Sequence, residues 1–224
     1  MEKPKVSLIV LTYNEKEGLE KMMPLVKKSW ADEVIIADYN STDGTIESAK
    51  KMGFKVIQGK KKGRGNGFRD GLENATGDIL VYFSPDGNEL PEDIPKLVDK
   101  IKQGYDMVIA SRFSKLSKSE DATLVRRIGN NMFTIIINLL FRTKLTDAVN
   151  GFRAIRTDVM KKINTDAENF EIELQMTAKC AKRGYKITEI PTIEPKRIGG
   201  TAKLNTIIDG WRILKFVLKE RFSA

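Results

Sequence analysis

A single carboxylate, Asp86, follows a strongly apolar run in the sequence D-I-L-V-Y-F-S-P-D-G-N, residues 78–88. The branched and aromatic side chains of this run are typical of a buried strand, and Pro85 and Gly87 indicate the turn that ends it. An oxygen-rich turn suits Mg²⁺ or Mn²⁺, which prefer carboxylate, amide, water and phosphate oxygens. Asp and Gly are also ordinary turn residues, so a turn without ligands is the alternative. The segment predicts a strand that ends at a metal and diphosphate site.

Four other apolar runs in the first half of the chain also end in polar groups. Helix-like segments separate these runs, so strands alternate with helices as in a parallel α/β sheet. In open sheets of this type, ligands bind at the carboxyl ends of the strands, so we expect the polar groups to line one shared cleft. The runs cover residues 6–11, 34–37, 54–57 and 107–110, and the helix-like segments cover about residues 16–28, 45–52, 66–75 and 91–103.

Composition excludes several kinds of catalysis. The 224 residues include no histidine, which excludes histidine-based acid–base chemistry, triads that need histidine, and zinc sites with histidine ligands. The one cysteine, Cys180, cannot form an internal disulfide and is more typical of a small core residue than of a nucleophile. We therefore expect one α/β domain in a reducing, cytoplasmic setting, where catalysis uses carboxylates, cations, metal and substrate groups.

The net charge of +9 indicates an anionic partner, such as a nucleotide, a lipid phosphate, a membrane surface or a nucleic acid. The chain lacks a nucleic-acid recognition motif or an aromatic and basic platform, so we expect no nucleic acid partner. We also expect no signal peptide and no membrane-spanning helix. The longest apolar stretch, residues 132–141, is far shorter than the roughly 20 residues that cross a bilayer.

Seven segments carry the strongest pattern in the sequence, in the order V-S-L-I-V-L-T-Y-N-E, A-D-Y-N-S-T-D-G-T, K-G-R-G-N-G-F-R-D-G-L-E-N-A-T-G-D, S-P-D-G-N, A-S-R-F, N-G-F-R-A-I and R-I-G-G-T-A-K-L. In this order they resemble the motifs of family-2 inverting glycosyltransferases with the GT-A fold. Within that family the chain is most similar to dolichyl- or polyprenyl-phosphate sugar synthases. The resemblance runs from about residue 6 to residue 203. The order of the seven motifs together is highly specific, although each motif alone is not.

The resemblance implies an α/β fold of the GT-A type, in which a Rossmann-like, mostly parallel central sheet has helices on both faces. It also implies one glycosyltransferase domain over residues 1–224. Residues 1–112 would bind the nucleotide sugar and residues 113–203 the acceptor. Residues 204–224 would form a C-terminal amphipathic helix, because apolar and basic side chains alternate there at helical spacing.

Carried over motif by motif, the resemblance also implies a donor site. Asp38 and Asp43 would flank the base and ribose of the donor. The family usually has two acidic residues where this chain has Asp38 and Tyr39, so the resemblance does not specify which base the donor carries. The glycine-rich loop would approach the diphosphate, unless it is a flexible basic surface loop. The predicted donor-binding residues are Thr12, Asn14, Glu15, Asp38, Asp43, Lys62, Gly63, Ser84, Arg197 and Lys203.

The predicted metal site departs from the family pattern. The family normally has two carboxylates in the sequence D-x-D, and this chain has Ser84 in place of the first. Asp86 is then the only anionic ligand for Mg²⁺ or Mn²⁺, with Asn88 as a neutral helper. Fewer charged ligands weaken the binding of hard divalent ions, unless the diphosphate supplies the missing charge. A degenerate, inactive site is the alternative.

The acceptor would bind to the second half of the chain. Arg112 follows a strand, and Arg126 and Arg127 begin an apolar segment, a pairing that suits a lipid with a phosphate head. An amphipathic helix that packs on the core is the alternative. The last segment, residues 204–222, would lie on an anionic membrane or cap the domain.

The resemblance implies inversion by direct displacement at the anomeric carbon. A lipid phosphate needs no strong base, because its second pKa is near 6 and it is already anionic at neutral pH. A hydroxyl acceptor needs one, and Asp147 is the first candidate for that base or for orienting the acceptor, ahead of Glu171 and Glu173. The predicted catalytic residues are Asp86, Arg112 and Asp147.

The sequence thus favours a metal-dependent hexosyltransferase that uses a nucleotide sugar of the GDP-mannose or UDP-glucose type. The acceptor would be dolichyl or polyprenyl phosphate at the cytoplasmic face of a membrane, with peripheral attachment. The alternatives are a transferase with a soluble or glycan hydroxyl acceptor, and a catalytically silent nucleotide-sugar-binding protein. A sugar nucleotidyltransferase is less favoured, because those enzymes usually have a glycine-rich basic signature where this chain has T-Y-N-E.

Overall fold

The computed structural model describes residues 3–198 and 208–222. Over these residues the elements begin with β1 (Val6–Thr12), α1 (Lys16–Met22), β2 (Glu33–Asp38), α2 (Thr45–Lys51), β3 (Lys55–Gln58), α3 (Arg64–Asn74), β4 (Ile79–Phe83), α4 (Asp93–Lys102) and β5 (Met107–Ser111). They continue with β6 (Lys118–Ser119), α5 (Leu124–Phe141), β7 (Arg153–Arg156), α6 (Thr157–Ile163), α7 (Ile172–Lys182), β8 (Ile187–Pro191), β9 (Ile193–Glu194) and α8 (Ile208–Phe222).

Seven of these strands form a central sheet in the order β3-β2-β1-β4-β7-β5-β8. β7 runs antiparallel to its neighbours β4 and β5, and every other neighbouring pair in this sheet is parallel. β6 and β9 pair separately as a short parallel ladder. The predicted α/β fold with a mostly parallel central sheet is therefore confirmed, and the sheet contains an antiparallel strand that the sequence pattern did not predict.

Helices cover both faces of the central sheet. Leu8 and Val10 of β1 belong to one buried apolar cluster, whereas Ile9 and Leu11 belong to another. Successive side chains of a strand point to opposite faces, so a strand that buries all of them must be covered on both sides. Residues of α1, α2 and α4 complete the first cluster, and residues of α3, α5, α6, α7 and α8 complete the second.

One predicted helix is shorter than expected. The sequence pattern predicted a helix over about residues 16–28, but α1 ends at Met22 and a 3-10 turn follows at Met23–Leu25. Pro24 lies in this turn. Because proline has no backbone N–H and its ring crowds the preceding turn, it cannot continue the hydrogen-bond ladder of α1.

The C-terminal helix α8 packs against α5 and α7. Val217 is buried in the second apolar cluster, and Glu220 accepts a hydrogen bond of 2.6 Å from Gln175 of α7. Leu218 and Phe222 are exposed. One side of the described part of this segment thus packs on the domain, while residues 204–207 and 223–224 of the predicted helix lie outside the described residues. None of the helices that the structure describes is long and apolar enough to cross a membrane.

Candidate functional site

A cleft opens at the edge of the sheet where β1, β2, β4 and β5 end. It consists of two adjoining hollows with volumes of about 320 and 180 Å³, and the term cleft refers to both of them. Arg64, Ser84, Asp86, Arg126 and Arg197 line both hollows. The predicted convergence of polar groups at the carboxyl ends of the strands therefore occurs, and it brings several guanidinium groups close to Asp86.

The end of β1 is joined to the end of β2 by a buried hydrogen-bond network. Thr12 lies opposite Asp38 in the parallel register, and its hydroxyl donates to Asp38 Oδ2 at 2.7 Å. Ser41 donates to the same carboxylate through its N–H at 2.7 Å and its hydroxyl at 2.6 Å. Asp38 is fully buried. Its described bonds stay within the protein, and this geometry favours a role in shaping the loop over the predicted contact with the base.

Asn14 and Asp43 also hold this loop together. Asn14 has a left-handed backbone, with φ of 53°, and its side chain accepts from the Thr42 N–H at 2.9 Å. Asp43 accepts from the N–H groups of Lys16 at 3.1 Å and Thr45 at 3.0 Å. Burial raises the pKa of Asp43, but these hydrogen bonds and the one from the Thr45 hydroxyl outweigh burial and hold it below its ordinary value. The geometry favours a supporting role for both side chains.

The glycine-rich loop packs directly against residues 167–169. Gly63 has a φ of 129°, and a Cβ atom there would lie 2.3 Å from the carbonyl oxygen of Glu168. Only glycine therefore fits this position. The Lys62 ammonium lies 5.5 Å from the centre of the Tyr13 ring, and both residues line the larger hollow of the cleft. The loop thus presents a cation to the cleft from a fixed backbone.

The turn after β4 holds Asp86 between a backbone bond and an ion pair. Asp86 Oδ1 accepts from the Asn88 N–H at 3.0 Å, and Oδ2 lies 2.8 Å from Arg197 Nη1. Arg197 Nη1 also lies 3.6 Å from Glu15 Oε1, which brings the end of β1 to the same point. Ile198 donates its N–H to the Asp86 carbonyl at 2.9 Å. Arg197 therefore reaches the cleft as predicted, whereas Lys203 lies outside the described residues.

Ser84 is contacted by a cation. Arg64, the first residue of α3, donates from Nη1 to the Ser84 hydroxyl at 3.2 Å and from Nε to Glu173. Burial lowers the pKa of Arg64, but the charge of Glu173, the nearby Tyr39 and Glu89, and the hydrogen bond to Glu173 together outweigh burial and raise the pKa above its ordinary value. Glu89 accepts from the Ser84 N–H at 2.6 Å, and burial, then the charge of Asp86, raise the pKa of Glu89 to about 8.

Whether the Asp86 turn can bind a divalent ion depends on the bound nucleotide sugar. Among residues 3–198 and 208–222, no three His, Cys, Asp or Glu side chains are grouped so that they could hold a metal. The Asn88 amide donates to the Pro195 carbonyl at 2.7 Å, and Asp86 is paired with Arg197. Asp86 and Asn88 alone therefore fall short of a site for Mg²⁺ or Mn²⁺, and they would complete one only if Arg197 moved away and donor phosphates supplied further oxygens.

Arg112 forms a bidentate ion pair at the cleft. Its Nε and Nη2 donate to the two carboxylate oxygens of Asp147 at 2.7 and 3.0 Å, and Nη1 donates to Glu194 at 3.2 Å. Burial lowers the pKa of Arg112, but these carboxylates outweigh it and raise the pKa above its ordinary value. Asp147 is 0% exposed. Since Arg112 occupies both of its oxygens, Asp147 is placed to orient Arg112, and its predicted use as a general base does not fit this geometry.

The structure separates Arg126 from Arg127. Arg126 lines both hollows of the cleft and pairs with Asp121 at 3.0 Å. Arg127 is exposed, and its guanidinium lies 5.7 Å from the centre of the Phe113 ring. Arg127 does not line either hollow among the described residues. Of the two arginines predicted to bind the acceptor, only Arg126 is brought to the cleft.

Sequence reasoning missed Glu89 and gave Arg64 no separate role. Glu89 directly follows the segment S-P-D-G-N, and its only signal was its position beside that turn. Arg64 lies within the glycine-rich loop, but its contact with Ser84 joins residues 20 positions apart. A charged residue in a loop indicates a binding site, whereas the residue that it pairs with is determined by the tertiary fold.

Comparison with known proteins identifies the family. A family described as Glycosyl transferase family 2 matches residues 7–164, which include all of β1 but its first residue, the glycine-rich loop and the Asp86 turn. The chain belongs to glycosyl transferase family 2. This membership makes it a glycosyltransferase and confirms the predicted family and enzyme class.

Individual relatives agree with this assignment. Glycosyltransferase AglJ of Haloferax volcanii is 29% identical over 92% of this chain and 68% of its own length. A dolichol-phosphate mannosyltransferase of Pyrococcus furiosus is 30% identical over 89% of this chain, which spans 59% of that relative. The fold is similar to glucosyl-3-phosphoglycerate synthase from Mycobacterium tuberculosis, crystallised with Mn²⁺, uridine diphosphate and phosphoglyceric acid. The TM-score is 0.78 at 16% identity, over 99% of this chain and 80% of that one. The GT-A fold is thereby confirmed.

Proposed function

We propose that the chain transfers a hexose from a nucleotide sugar of the GDP-mannose or UDP-glucose type to dolichyl or polyprenyl phosphate. The observation that carries this proposal is the position of Arg126, which lines the cleft at the start of a helix with an exposed apolar side. A cation beside an apolar surface fits an acceptor with a phosphate head and a hydrocarbon tail. The relative named dolichol-phosphate mannosyltransferase supports the same class of acceptor.

The exposed side of α5 is an apolar stripe, which we call the α5 stripe. Its side chains recur at helical spacing, and the opposite side of α5 buries Phe133, Ile137 and Phe141 in the core. A surface of this kind, next to basic residues, suits the interface of an anionic membrane. In this proposal the enzyme attaches peripherally to the cytoplasmic face of a membrane. The α5 stripe consists of Leu124, Val125, Ile128, Met132, Ile135 and Leu139.

The donor would bind with its diphosphate among Lys62, Arg64 and Arg197. These cations line the larger hollow and stabilise the negative charge that develops on the leaving diphosphate. Mg²⁺ or Mn²⁺, held by Asp86 and Asn88, would add positive charge at the same oxygens. Arg197 would exchange its bond to Asp86 for a bond to phosphate, since phosphate oxygens are strong acceptors for guanidinium groups.

The acceptor would react as its own nucleophile. A phosphate monoester is largely dianionic at neutral pH, so its oxygen can attack the anomeric carbon without a protein base. Arg126 would hold the phosphate head, and Arg112 would orient it from a position fixed by Asp147 and Glu194. The attack forms the new glycosidic bond with inversion as the bond to the nucleoside diphosphate breaks.

A direct assay tests the proposed function. The protein is incubated with GDP-mannose or UDP-glucose, MgCl₂ or MnCl₂, and polyprenyl phosphate, and the glycolipid is measured. We expect product with lipid phosphate and not with the corresponding polyprenol. Transfer to the polyprenol would favour a hydroxyl acceptor. Binding of nucleotide sugar without transfer to any acceptor would favour the catalytically silent alternative.

Replacing Arg126 with alanine should raise the KM for polyprenyl phosphate by roughly 10–100-fold and change the donor KM much less. A hydrogen bond to a charged group contributes about 1.5–3 kcal/mol, and each 1.4 kcal/mol corresponds to a factor of ten. Arg127→Ala is the matched control, because it removes the same charge one residue away and outside the cleft. Equal effects of both variants, or normal KM in Arg126→Ala, would contradict the assignment. Steady-state kinetics with each substrate varied in turn provides the measurement.

Membrane attachment should depend on salt and on the α5 stripe. We expect high salt or mild detergent to release the protein from anionic vesicles, because screening weakens its electrostatic attraction. Ile128→Glu should weaken vesicle binding about tenfold, since one apolar side chain contributes about 1.5–3 kcal/mol on burial. Leu25→Glu is the control, because Leu25 is similarly exposed but follows α1. Vesicle sedimentation measures the binding of both variants. Equal binding of the two variants would exclude a role of the α5 stripe in membrane attachment.

A further inference from the structure

Arg64 is held in place on several sides within the cleft. Its Nε donates to Glu173, its Nη1 donates to Ser84 at 3.2 Å, and its guanidinium lies 5.5 Å from the centre of the Phe68 ring. The side chain of Arg64 is 19% exposed, and that of Glu173 is 4% exposed. An arginine fixed in this way loses little conformational entropy when it binds an anion.

The contact between Arg64 and Ser84 changes the charge of the predicted metal site. The resemblance puts a carboxylate at the position of Ser84, and a carboxylate there would attract a divalent ion. Here a neutral hydroxyl accepts a hydrogen bond from a cation, while Arg197 pairs with Asp86 at 2.8 Å. A metal ion must therefore displace Arg197 and approach Arg64, and both changes oppose the binding of a cation. The same two guanidinium groups favour an anion with several oxygens.

We propose that Arg64 binds the donor diphosphate and supplies, from the protein itself, positive charge that a divalent metal would otherwise bring. Donor binding would then need no metal, and a bound metal would strengthen it only weakly. The inference rests on the proposed function, because it takes a nucleoside diphosphate as the ligand. It extends that function by having the charge of Arg64 take the place of a metal ion at the diphosphate, which reduces the metal requirement of the binding step.

Calorimetric titration with UDP and GDP tests this inference. Each nucleotide is titrated into the full chain in EDTA and again in MnCl₂. We expect one nucleotide to bind in EDTA, with Mn²⁺ lowering its Kd less than tenfold. Arg64→Leu should weaken binding in EDTA by roughly 10–100-fold, because a charge-assisted contact is lost. Lys61→Leu is the control, since it removes the same charge from an exposed side chain next to the loop.

Two further variants keep the inference testable if Arg64→Leu fails to fold. Removing one partner of a buried ion pair is destabilising, whereas removing both can be nearly neutral. Arg64→Met with Glu173→Gln should therefore fold and still show the loss in EDTA. Ser84→Asp in that background should restore a dependence on Mn²⁺ of at least about tenfold, because it returns a second carboxylate without a cation beside it. Ser84→Asp alone should not, since Arg64 would pair with it.

The outcomes distinguish this inference from the proposed function. Nucleotide binding that requires Mn²⁺ in the unchanged protein would overturn the role of Arg64 and leave the transferase proposal intact. Equal Kd values for Arg64→Leu and Lys61→Leu in EDTA would also overturn it. If neither UDP nor GDP binds with or without Mn²⁺, the proposed donor site fails, and the inference fails with it.

Discussion

Replacing Asp86 with alanine should lower the turnover number by about 10²–10³-fold, a loss comparable to removing one preorganised electrostatic contact from an active site. The variant deletes the single carboxylate of the Asp86 turn, which in the proposed function is the charged ligand of the metal that would stabilise the leaving diphosphate, and it also removes the ion-pair partner of Arg197. Its backbone contacts remain, because the Asp86 carbonyl still accepts from Ile198 and Gly87 still supplies the left-handed residue of the turn. Glycolipid formation at saturating donor measures the loss.

Two comparisons separate chemistry from folding for this variant. Asp86→Asn keeps an oxygen that can accept from the Asn88 N–H, but it removes the charge, so we expect a similar loss of turnover. Asp99→Ala removes a carboxylate from the exposed side of α4 and should leave turnover unchanged. Circular dichroism should show that all three variants are folded, and the unfolding temperature should fall only where Arg197 loses its charged partner. Near-normal turnover of Asp86→Ala would exclude Asp86 from the reaction.

The parallel part of the sheet could be predicted because its strands bury both faces. The runs that become β1, β4 and β5 contain almost continuous apolar residues, a pattern that is typical of parallel strands covered by helices. β7 has no such signal, because its four residues are Arg153–Arg156 and two of them are charged. Arg153 is nevertheless fully buried, and its guanidinium donates to the carbonyls of Asn150 and Glu173. Its burial depends on partners that the fold supplies, of which Glu173 lies 20 positions away.

The site could be predicted as a set of residue types but not as a set of partners. Asp38, Asp43 and Asp147 were expected to face the ligands or to react with them, and each instead accepts hydrogen bonds from neighbouring residues. The partner of Asp147 is Arg112, which lies 35 positions away. A sequence motif shows that a carboxylate is near a site, whereas its availability depends on which cations and N–H groups the fold brings to it.

Replacing Asp147 with asparagine should reduce turnover by about 10²-fold and leave the acid limb of the pH–rate profile in place. The loss follows from geometry, because the introduced amide would hold Arg112 through one oxygen instead of two, and a small misplacement of a positioning group can have an effect of that size. If the acceptor phosphate is its own nucleophile, the acid limb reflects its second pKa of about 6 and does not depend on Asp147. The measurement is the pH dependence of the rate with polyprenyl phosphate, for both proteins.

The acid limb is informative because a positioning role and a general-base role for Asp147 predict different pH–rate profiles. A positioning role lowers the rate by the same factor at every pH, so the midpoint of the acid limb stays near the phosphate pKa of about 6. A general base would remove the limb together with the activity, and the hydroxyl-acceptor alternative would then be the better account. Asp93→Asn, at another buried carboxylate in α4 that lines neither hollow of the cleft, serves as the comparison for nonspecific effects of neutralising a buried acid. Retention of the limb in Asp147→Asn, at a uniformly reduced rate, supports a phosphate acceptor that needs no protein base.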